Sequence, residues 1–123
     1  MDIVSGRIRL DDIDLATIPG CVVRERLVCL TQEPFLFSAS VRLNLDPLGT
    51  SIDQSLVFAL QRVGLWEVLK NKVPSQGSSD ASSILDMRVR IEMLSHGQRQ
   101  LFCLARAMLK PGKILILDEP TSR

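Results

Sequence analysis

The sequence predicts an α/β fold, and three of its features indicate this class. Ile114–Leu117 is a run of four large aliphatic residues, which is typical of a central parallel strand covered on both faces. A predicted helix precedes this run and begins at an S-x-x-Q capping box over residues 95–98. Leu27–Leu30 is a second apolar run and fits a buried strand that leads into a loop. The length of 123 residues allows one domain at most.

The first part of the chain is expected to contain a hairpin and a loop. Residues 7–15 alternate polar and apolar side chains around an Asp-Asp turn signal. This pattern predicts a short antiparallel hairpin in which Ile8 and Leu10 face inward. Pro19-Gly20 then marks a loop.

The middle of the chain is predicted to be helical. Ser38 or Ser40 caps a short helix. Ser51 and Gln54 form another S-x-x-Q capping box at the start of a longer helix, which Gly64 ends. The apolar residues of this helix recur at helical spacing and are Ile52, Leu56, Ala59, Leu60 and Val63.

The remaining segments are less regular. Residues 65–70 fit a short helix, and residues 74–83 have the composition of an exposed flexible loop. Residues 87–91 alternate apolar and charged side chains, which weakly favours an edge strand. The helix after residue 95 is predicted to end at residues 110–112. Its apolar face is predicted to comprise Leu101, Leu104, Ala105, Met108 and Leu109.

Composition excludes several classes of function. Fifteen Lys and Arg against fourteen Asp and Glu give a net charge of +1, so no strong basic field attracts nucleic acid or an anionic membrane surface. No apolar run reaches the ~18 residues that a membrane-spanning helix needs. Cys21, Cys29 and Cys103 have no paired spacing, and we expect them to be small core residues in a reducing compartment.

Two carboxylates follow the predicted strand Ile114–Leu117 and are the first candidates for chemistry. In open α/β sheets, ligands bind at the carboxyl ends of the strands. Four aliphatic residues followed by Asp118 have the Walker B form, whose aspartate holds Mg²⁺. Glu119 is placed to polarise an attacking water. The alternative that stays open is a solvated acidic pair at a polar strand end.

The predicted helix start at Ser95 is the second candidate. A helix N-terminus with a serine and a glycine, here Gly97, offers unpaired N–H groups, a hydroxyl and a positive dipole end, all of which suit a phosphate. An ordinary capping box is the alternative for this pattern taken alone. Its combination with an aliphatic-Asp-Glu strand shortly afterwards is much more specific.

These motifs resemble those of the nucleotide-binding domain of ATP-binding cassette (ABC) transporters. Residues 94–98 resemble the family signature LSGGQ, with His96 at the third position. Residues 114–119 resemble Walker B and the catalytic glutamate, residues 120–122 lead into the D-loop, and Gln32 resembles the Q-loop glutamine. Residues 36–38, 44–47 and 97–107 are similar to the C subfamily of multidrug-resistance-associated exporters, and most of all to its second nucleotide-binding domain.

The resemblance implies the fold and the extent of the domain. It implies a P-loop NTPase (ABC ATPase) fragment, with a mostly parallel sheet and a helical subdomain, that lacks the Walker A strand-loop-helix and the C-terminal strands. Residues 1–123 would be a partial nucleotide-binding domain. No G-x-x-x-x-G-K-S/T motif occurs in the sequence. The chain alone is therefore not expected to hydrolyse ATP, since that loop holds the β- and γ-phosphates.

The resemblance also implies a role for each site residue. Asp118 and Gln32 would hold Mg²⁺, and Glu119, with Gln32, would serve catalysis. Ser95 and Gly97 would contact the γ-phosphate of ATP held by the opposite domain. The remaining implied positions are Gln98, which would support the signature turn, and Ser122, which would lie at the D-loop contact.

The implied cofactors are ATP and Mg²⁺. The implied partners are a second nucleotide-binding domain and the transmembrane domains of an exporter, at the cytoplasmic face of a membrane. Two alternatives remain. One is a non-hydrolysing fragment that acts at most as an interaction module. The other is a piece of a chromosome-maintenance or repair ATPase, which the lack of a coiled-coil insertion between Gln32 and Ser95 disfavours.

Overall fold

The computed structural model describes residues 5–30, 33–73, 80–112 and 114–117. Its strands are β1 (Arg9–Leu10), β2 (Ile13–Asp14), β3 (Leu27–Leu30), β4 (Ala39–Ser40), β5 (Arg88–Val89) and β6 (Ile114–Leu117). Its α-helices are α1 (Gly20–Arg26), α2 (Val41–Leu45), α3 (Asp53–Arg62), α4 (Trp66–Lys70), α5 (Ala81–Asp86) and α6 (His96–Leu109). Single 3₁₀ turns cover Leu15–Thr17 and Ile91–Met93. Helices and paired strands together give the α/β class that the sequence predicts.

The predicted N-terminal hairpin is present, but it is not buried. Strands β1 and β2 pair antiparallel, and Asp11 and Asp12 adopt positive φ angles of 47° and 64° in the turn between them. Ile8 is 55% exposed and Leu10 is 37% exposed, so the prediction that they face inward is wrong. The alternating pattern identified the hairpin, whereas burial requires a second layer that the described residues do not place over it.

The loop predicted at Pro19-Gly20 is instead the start of α1. The backbone N–H groups of Val22 and Val23 donate to the Pro19 carbonyl oxygen at 2.9 and 3.2 Å. The proline ring fixes φ at a value that suits a helix start, here −54°, and Pro19 is the N-cap residue. The Pro-Gly signal therefore marks a helix boundary here, and the loop prediction is wrong at Gly20.

The predicted parallel sheet is represented by β3 and β6, which pair in register from Leu27 opposite Ile114 to Leu30 opposite Leu117. The two runs are confirmed as parallel strands. Of β3, however, only Val28 is buried, and three of the four residues of β6 are exposed. The prediction of a strand covered on both faces is therefore wrong for the described part of the chain, because α6 packs against this sheet on one side only.

The main hydrophobic core lies among the helices rather than at this sheet. It forms where α2, α3, α4, α5 and α6 meet, and it corresponds to the expected helical subdomain. Its buried members are Leu36, Val41, Leu45, Leu56, Ala59, Leu60, Leu65, Leu69, Ile84, Leu85, Val89, Leu94, Phe102 and Ala105. Each fully buried Leu, Ile or Phe side chain contributes about 1.5–3 kcal/mol relative to exposure, so this cluster dominates the stability of the described residues.

The two predicted caps of the middle helices behave differently. Ser40 caps α2, since its Oγ accepts from the Leu43 N–H at 3.1 Å. The capping box predicted at Ser51 does not form, because the Ser51 N–H donates to the Asp46 carboxylate at 2.5 Å. Ile52 is the N-cap residue of α3 without a side-chain bond, and it is exposed rather than part of the apolar face.

The rest of α3 follows the prediction. Leu56, Ala59 and Leu60 are buried, and the helix ends before Gly64, whose φ of +75° favours glycine. The predicted short helix at 65–70 is confirmed as α4, Trp66–Lys70.

The flexible loop predicted over residues 74–83 is wrong at its C-terminal end. Residues 74–79 lie outside the described part, but α5 begins at Ala81. Ile84 and Leu85 of this helix are fully buried, so their packing holds the preceding serines in a helical turn. The predicted edge strand is confirmed as β5, a two-residue strand that pairs antiparallel with β4.

Helix α6 has the predicted limits, and its predicted buried face is confirmed in part. It begins after Ser95, and Lys110 is its C-cap, as expected. Ala105 is buried and Leu109 packs against the core, as predicted, whereas Leu101 and Met108, both assigned to the apolar face, are exposed. Phe102, which the prediction left out, is fully buried, so the true face is shifted toward Phe102, one position along the helix from Leu101.

Arg42 joins three helices. Its guanidinium group bonds both carboxylate oxygens of Asp53 in the first turn of α3, with Nη2 3.1 Å from Oδ2. Its Nε donates to the Asp86 carboxylate at the end of α5 at 3.0 Å. The hydrogen bond from Arg42 is the largest effect on the pKa of Asp53 and lowers it below the ordinary value of 3.8.

The exposed strand β6 yields the first prediction. An apolar strand at a sheet edge is a template for pairing between chains. We expect the purified 123-residue chain to self-associate, and Ile116→Lys to restore a monomer in sedimentation velocity. Leu48→Lys is the control, because Leu48 is 86% exposed but lies outside any strand. A parent chain that sediments as a monomer at every concentration would contradict this prediction.

The Arg42 network yields the second prediction. Since the pKa of Asp53 is lowered in the folded state, the pair stabilises the fold above pH 3.8, and this contribution is lost as the pH falls through the lowered pKa. The unfolding free energy is measured by urea denaturation as the pH is lowered from above 3.8 through the lowered pKa of Asp53, in a chain that carries Ile116→Lys. Arg42→Met should lose less unfolding free energy over this pH range than the parent does. Arg62→Met, at an exposed arginine that lies over Phe58, should leave the pH profile unchanged. If the unfolding free energy of Arg42→Met falls with pH as steeply as that of the parent, the Arg42–Asp53 pair does not cause the pH dependence.

Candidate functional site

Three of the seven residues with an implied role lie in the described part of the chain. Ser95, Gly97 and Gln98 form the turn that starts α6. Gln32, Asp118, Glu119 and Ser122 lie outside the described residues. The site is therefore described from the turn, from α6 behind it, and from the strand ends that precede Gln32 and Asp118 in the sequence.

The predicted capping box at Ser95 is confirmed. The Ser95 Oγ accepts from the Gln98 N–H at 3.2 Å, and the Ser95 N–H donates to Gln98 Oε1 at 3.0 Å. The Arg99 N–H donates to the Ser95 carbonyl oxygen at 2.9 Å and is the first bond of the helical ladder. Gln98 thus supports the turn with its own side chain, and the Ser95 hydroxyl proton remains available to an outside acceptor.

The tip of this turn is open. Ser95, His96 and Gly97 are exposed, and a Cβ atom added to Gly97 would meet no atom within 4 Å. The backbone N–H groups of His96 and Gly97 have no acceptor within the described ranges, as is usual in the first turn of a helix. Two free N–H groups at the positive end of a 14-residue helix attract an anion.

Buried residues on both sides of the turn hold it in place. Leu94, immediately before Ser95, is 4% exposed, and Phe102 and Ala105 of α6 are fully buried. The chain therefore enters and leaves the turn through the core of the helical subdomain. A rigid base with an exposed polar tip is the arrangement that a contact surface for a ligand needs.

The middle of α6 contacts the segment that follows Gln32 in the sequence. Arg106 Nε donates to the Asn44 carbonyl oxygen at 2.6 Å, and the Cys103 Sγ lies 3.9 Å from the Phe35 carbonyl oxygen. Burial lowers the pKa of Arg106 and raises the pKa of the Cys103 thiol. Phe35, Cys103 and Arg106 also line a cavity of about 120 Å³ between β3 and α6, together with Cys29.

Asn44 is the only polar residue in the buried class among the described residues. Sequence reasoning assigned no role to it or to Arg106. The available signal was an asparagine between the apolar positions Leu43 and Leu45 of a short helix, where a polar side chain is costly unless it is hydrogen-bonded.

The expectation that the cysteines are core residues is wrong for two of them. Cys21 and Cys29 are exposed, and Cys103 is half-buried. Cys29 is exposed in a strand of which only Val28 is buried, which is again a property of the packing and not of the local sequence.

The carboxyl ends of β3 and β6 coincide. Leu30 is the register partner of Leu117 in the parallel pair. Gln32 follows Leu30 by two residues in the sequence, and Asp118 follows Leu117 directly. Within the described ranges, no group of three or more His, Cys, Asp and Glu side chains is arranged to hold a metal ion.

The sequence profile of the ABC transporter family matches residues 1–122. The ABC transporter gloK of Glarea lozoyensis is 44% identical over 122 residues, which cover 99% of this chain and 8% of that protein. ABC multidrug transporter B of Aspergillus fumigatus is 39% identical over 99% of this chain and 8% of its own length. The mouse ATP-binding cassette sub-family C member 10 is 42% identical over 96% of this chain and 7% of its own length.

The chain thus spans less than a tenth of these relatives. No helix in its described ranges is both long enough and apolar enough to cross a membrane. The profile match extends over nearly the whole sequence, and one relative is a C-subfamily member, as the motifs indicate. With its signature-like turn at the head of α6 and its parallel strands β3 and β6, this chain belongs to the ABC transporter family.

Proposed function

We propose that residues 1–123 are part of the nucleotide-binding domain of an exporter, and that this domain couples ATP binding and hydrolysis to transport across a membrane. The family match over residues 1–122 is the observation that carries the proposal. The partners are a second nucleotide-binding domain and the transmembrane domains of the same transporter. The site of action is the cytoplasmic face of the membrane.

The turn at Ser95 is suited to the γ-phosphate of ATP held by the opposite nucleotide-binding domain. Its exposed tip presents the Ser95 hydroxyl and the N–H groups of His96 and Gly97, and no side chain blocks the approach to Gly97. Hydrogen bonds from backbone N–H groups and the helix dipole both favour a phosphate oxygen at this point. The Gln98 side chain keeps the turn in this shape through its bond to the Ser95 N–H.

The common end of β3 and β6 supports the roles proposed for the other three residues. Because Leu30 and Leu117 are register partners, the chain leaves both strands at the same sheet edge. In the sequence, Gln32 comes two residues after the end of β3 and Asp118 comes directly after the end of β6. Both would hold Mg²⁺, whose preferred ligands are oxygen atoms. Bound Mg-ATP supplies the phosphate that is transferred to water. Glu119 would orient that water and accept its proton.

A second candidate function is a non-hydrolysing interaction module. The absence of a G-x-x-x-x-G-K-S/T motif from these 123 residues favours it, because that motif supplies the phosphate-binding loop and its lysine. The two candidates differ once the chain stands in a complete transporter. A chimera is suitable, in which residues 1–122 replace the matching segment of one of the full-length relatives.

The third prediction concerns this chimera. Glu119→Gln should reduce the rate of phosphate release at least about 100-fold, the usual contribution of a general base, while ATP binding persists. Ser95→Arg should leave ATP binding intact but prevent the two nucleotide-binding domains from closing, since a bulky side chain would occupy the place of the γ-phosphate. The measurements are phosphate release, binding of a fluorescent ATP analogue, and cross-linking between the two domains.

Ser82→Arg is the matched control, because Ser82 is also an exposed serine in the first turn of a helix, α5. It should hydrolyse ATP as the parent does. Parental hydrolysis by Glu119→Gln would show that the catalytic residue is assigned wrongly. If the two domains still close in Ser95→Arg, the turn caps the helix and does not contact the γ-phosphate. A folded chimera without any hydrolysis would favour the interaction module.

A further inference from the structure

Besides its N-terminal turn, helix α6 makes a second set of polar contacts along its middle. Cys103 and Arg106 lie one helical turn apart and both contact the segment of residues 35–44. Arg106 makes the stronger contact, a charge-assisted bond of 2.6 Å from Nε to the Asn44 carbonyl oxygen. This face therefore ties α6 to the part of the chain that follows Gln32.

The Asn44 side chain carries the connection onward to Phe37. Its Oδ1 accepts from the Phe37 N–H at 2.7 Å, and its Nδ2 donates to the Phe37 carbonyl oxygen at 2.9 Å. Nδ2 also donates to the Ser40 carbonyl oxygen at 3.0 Å. Asn44 is fully buried, so water does not compete for these bonds. Arg106, Asn44 and Phe37 thus form one continuous hydrogen-bonded path.

We propose that Arg106 and Asn44 are positioning residues for ATP hydrolysis, which fix the segment that follows Gln32 against the signature helix so that Gln32 and the Ser95 turn move together. The inference rests on the proposed function. Phe35 follows Gln32 by three residues in the sequence and is held against α6 through Cys103. Arg106 and Ser95 are joined by the uninterrupted helix α6.

Stability alone does not account for an arginine at this position. Arg106 Nη2 is buried and has no hydrogen-bond partner within the described ranges. Leaving a buried donor unpaired costs free energy, and replacing a buried polar interaction by well-packed apolar side chains is often neutral or stabilising. What the arginine adds is a directional bond to one backbone atom, Asn44 O, and hence a defined position of α2 and Phe37 relative to α6.

The test uses the chimera and a double-mutant cycle. Arg106→Met should lower kcat about 10-fold, within the range usual for coupled sites, and leave the affinity for a fluorescent ATP analogue within about twofold. Arg106→Lys keeps the charge and a donor and should recover much of kcat. If Arg106 acts through Gln32, then Gln32→Ala/Arg106→Met should have the kcat of Gln32→Ala alone.

Arg88→Met is the matched control, because Arg88 Nε also donates to a carbonyl oxygen of this segment, Ser38, at 3.1 Å but belongs to β5 rather than α6. It should leave kcat unchanged. A second readout is independent of activity. Loss of the Arg106 charge raises the pKa of the Cys103 thiol, so alkylation of Cys103 is compared as a rate constant per thiolate, obtained from its pH dependence. This rate constant should rise in Arg106→Met because Cys103 lies against Phe35, whereas the exposed Cys21 should react as in the parent.

The outcomes separate this inference from the function on which it rests. Hydrolysis by the parent chimera that persists in Glu119→Gln would overturn the proposed function. If hydrolysis by the parent chimera depends on Glu119, any of three results would overturn the positioning role alone. The first is a kcat of Gln32→Ala/Arg106→Met that shows the product of the two single losses. The second is a loss of kcat in Arg88→Met equal to that in Arg106→Met, and the third is an unchanged rate constant per thiolate for Cys103 alkylation in Arg106→Met.

Discussion

The buried carboxamide of Asn44 holds the segment that precedes β4 against α2. Residues 33–38 have few backbone partners of their own within the described ranges, and buried N–H and C=O groups must be paired. Asn44 supplies an acceptor to the Phe37 N–H and donors to the Phe37 and Ser40 carbonyl oxygens. The apolar core around it excludes water, so loss of this side chain would leave the Phe37 N–H unpaired at a cost of about 1–3 kcal/mol, while the Phe37 carbonyl oxygen would keep its bond from the Ala39 N–H at 2.8 Å.

From this point the arrangement extends to the signature-like turn. Arg106 of α6 bonds the backbone of Asn44. The same helix places Phe102 in the core, and its N-terminus is the exposed Ser95 turn. Burial in the middle of α6 fixes its position, and exposure at its N-terminus leaves hydrogen-bond donors for a phosphate. Under the proposed function, this helix would join the phosphate contact at its N-terminus to the segment that follows Gln32.

Helix caps were predictable from the sequence at two of three positions, and burial was predictable only within α3 and part of α6. The caps at Ser40 and Ser95 follow from residues three positions apart. The same motif failed at Ser51, because the Asp46 carboxylate competes for its N–H. The exposure of Ile116 and the burial of Phe102 depend on which elements cover them, which no short pattern specifies. Asp118 and Glu119 were assigned from their place after an aliphatic strand and then through resemblance, Gln32 through resemblance alone, and all three roles stay predictions.

Amide hydrogen exchange at Phe37 tests the Asn44 interaction most directly. In the chain carrying Ile116→Lys, which removes the exposed apolar strand edge, the Phe37 amide should exchange about as slowly as that of Phe102 in α6, because its hydrogen bond to Asn44 Oδ1 lies beside the core. Asn44→Ala should abolish this protection while the Phe102 amide stays protected. Exchange at Phe37 as fast as at the exposed Gly6 would contradict the account, since the carboxamide would then hold nothing in place.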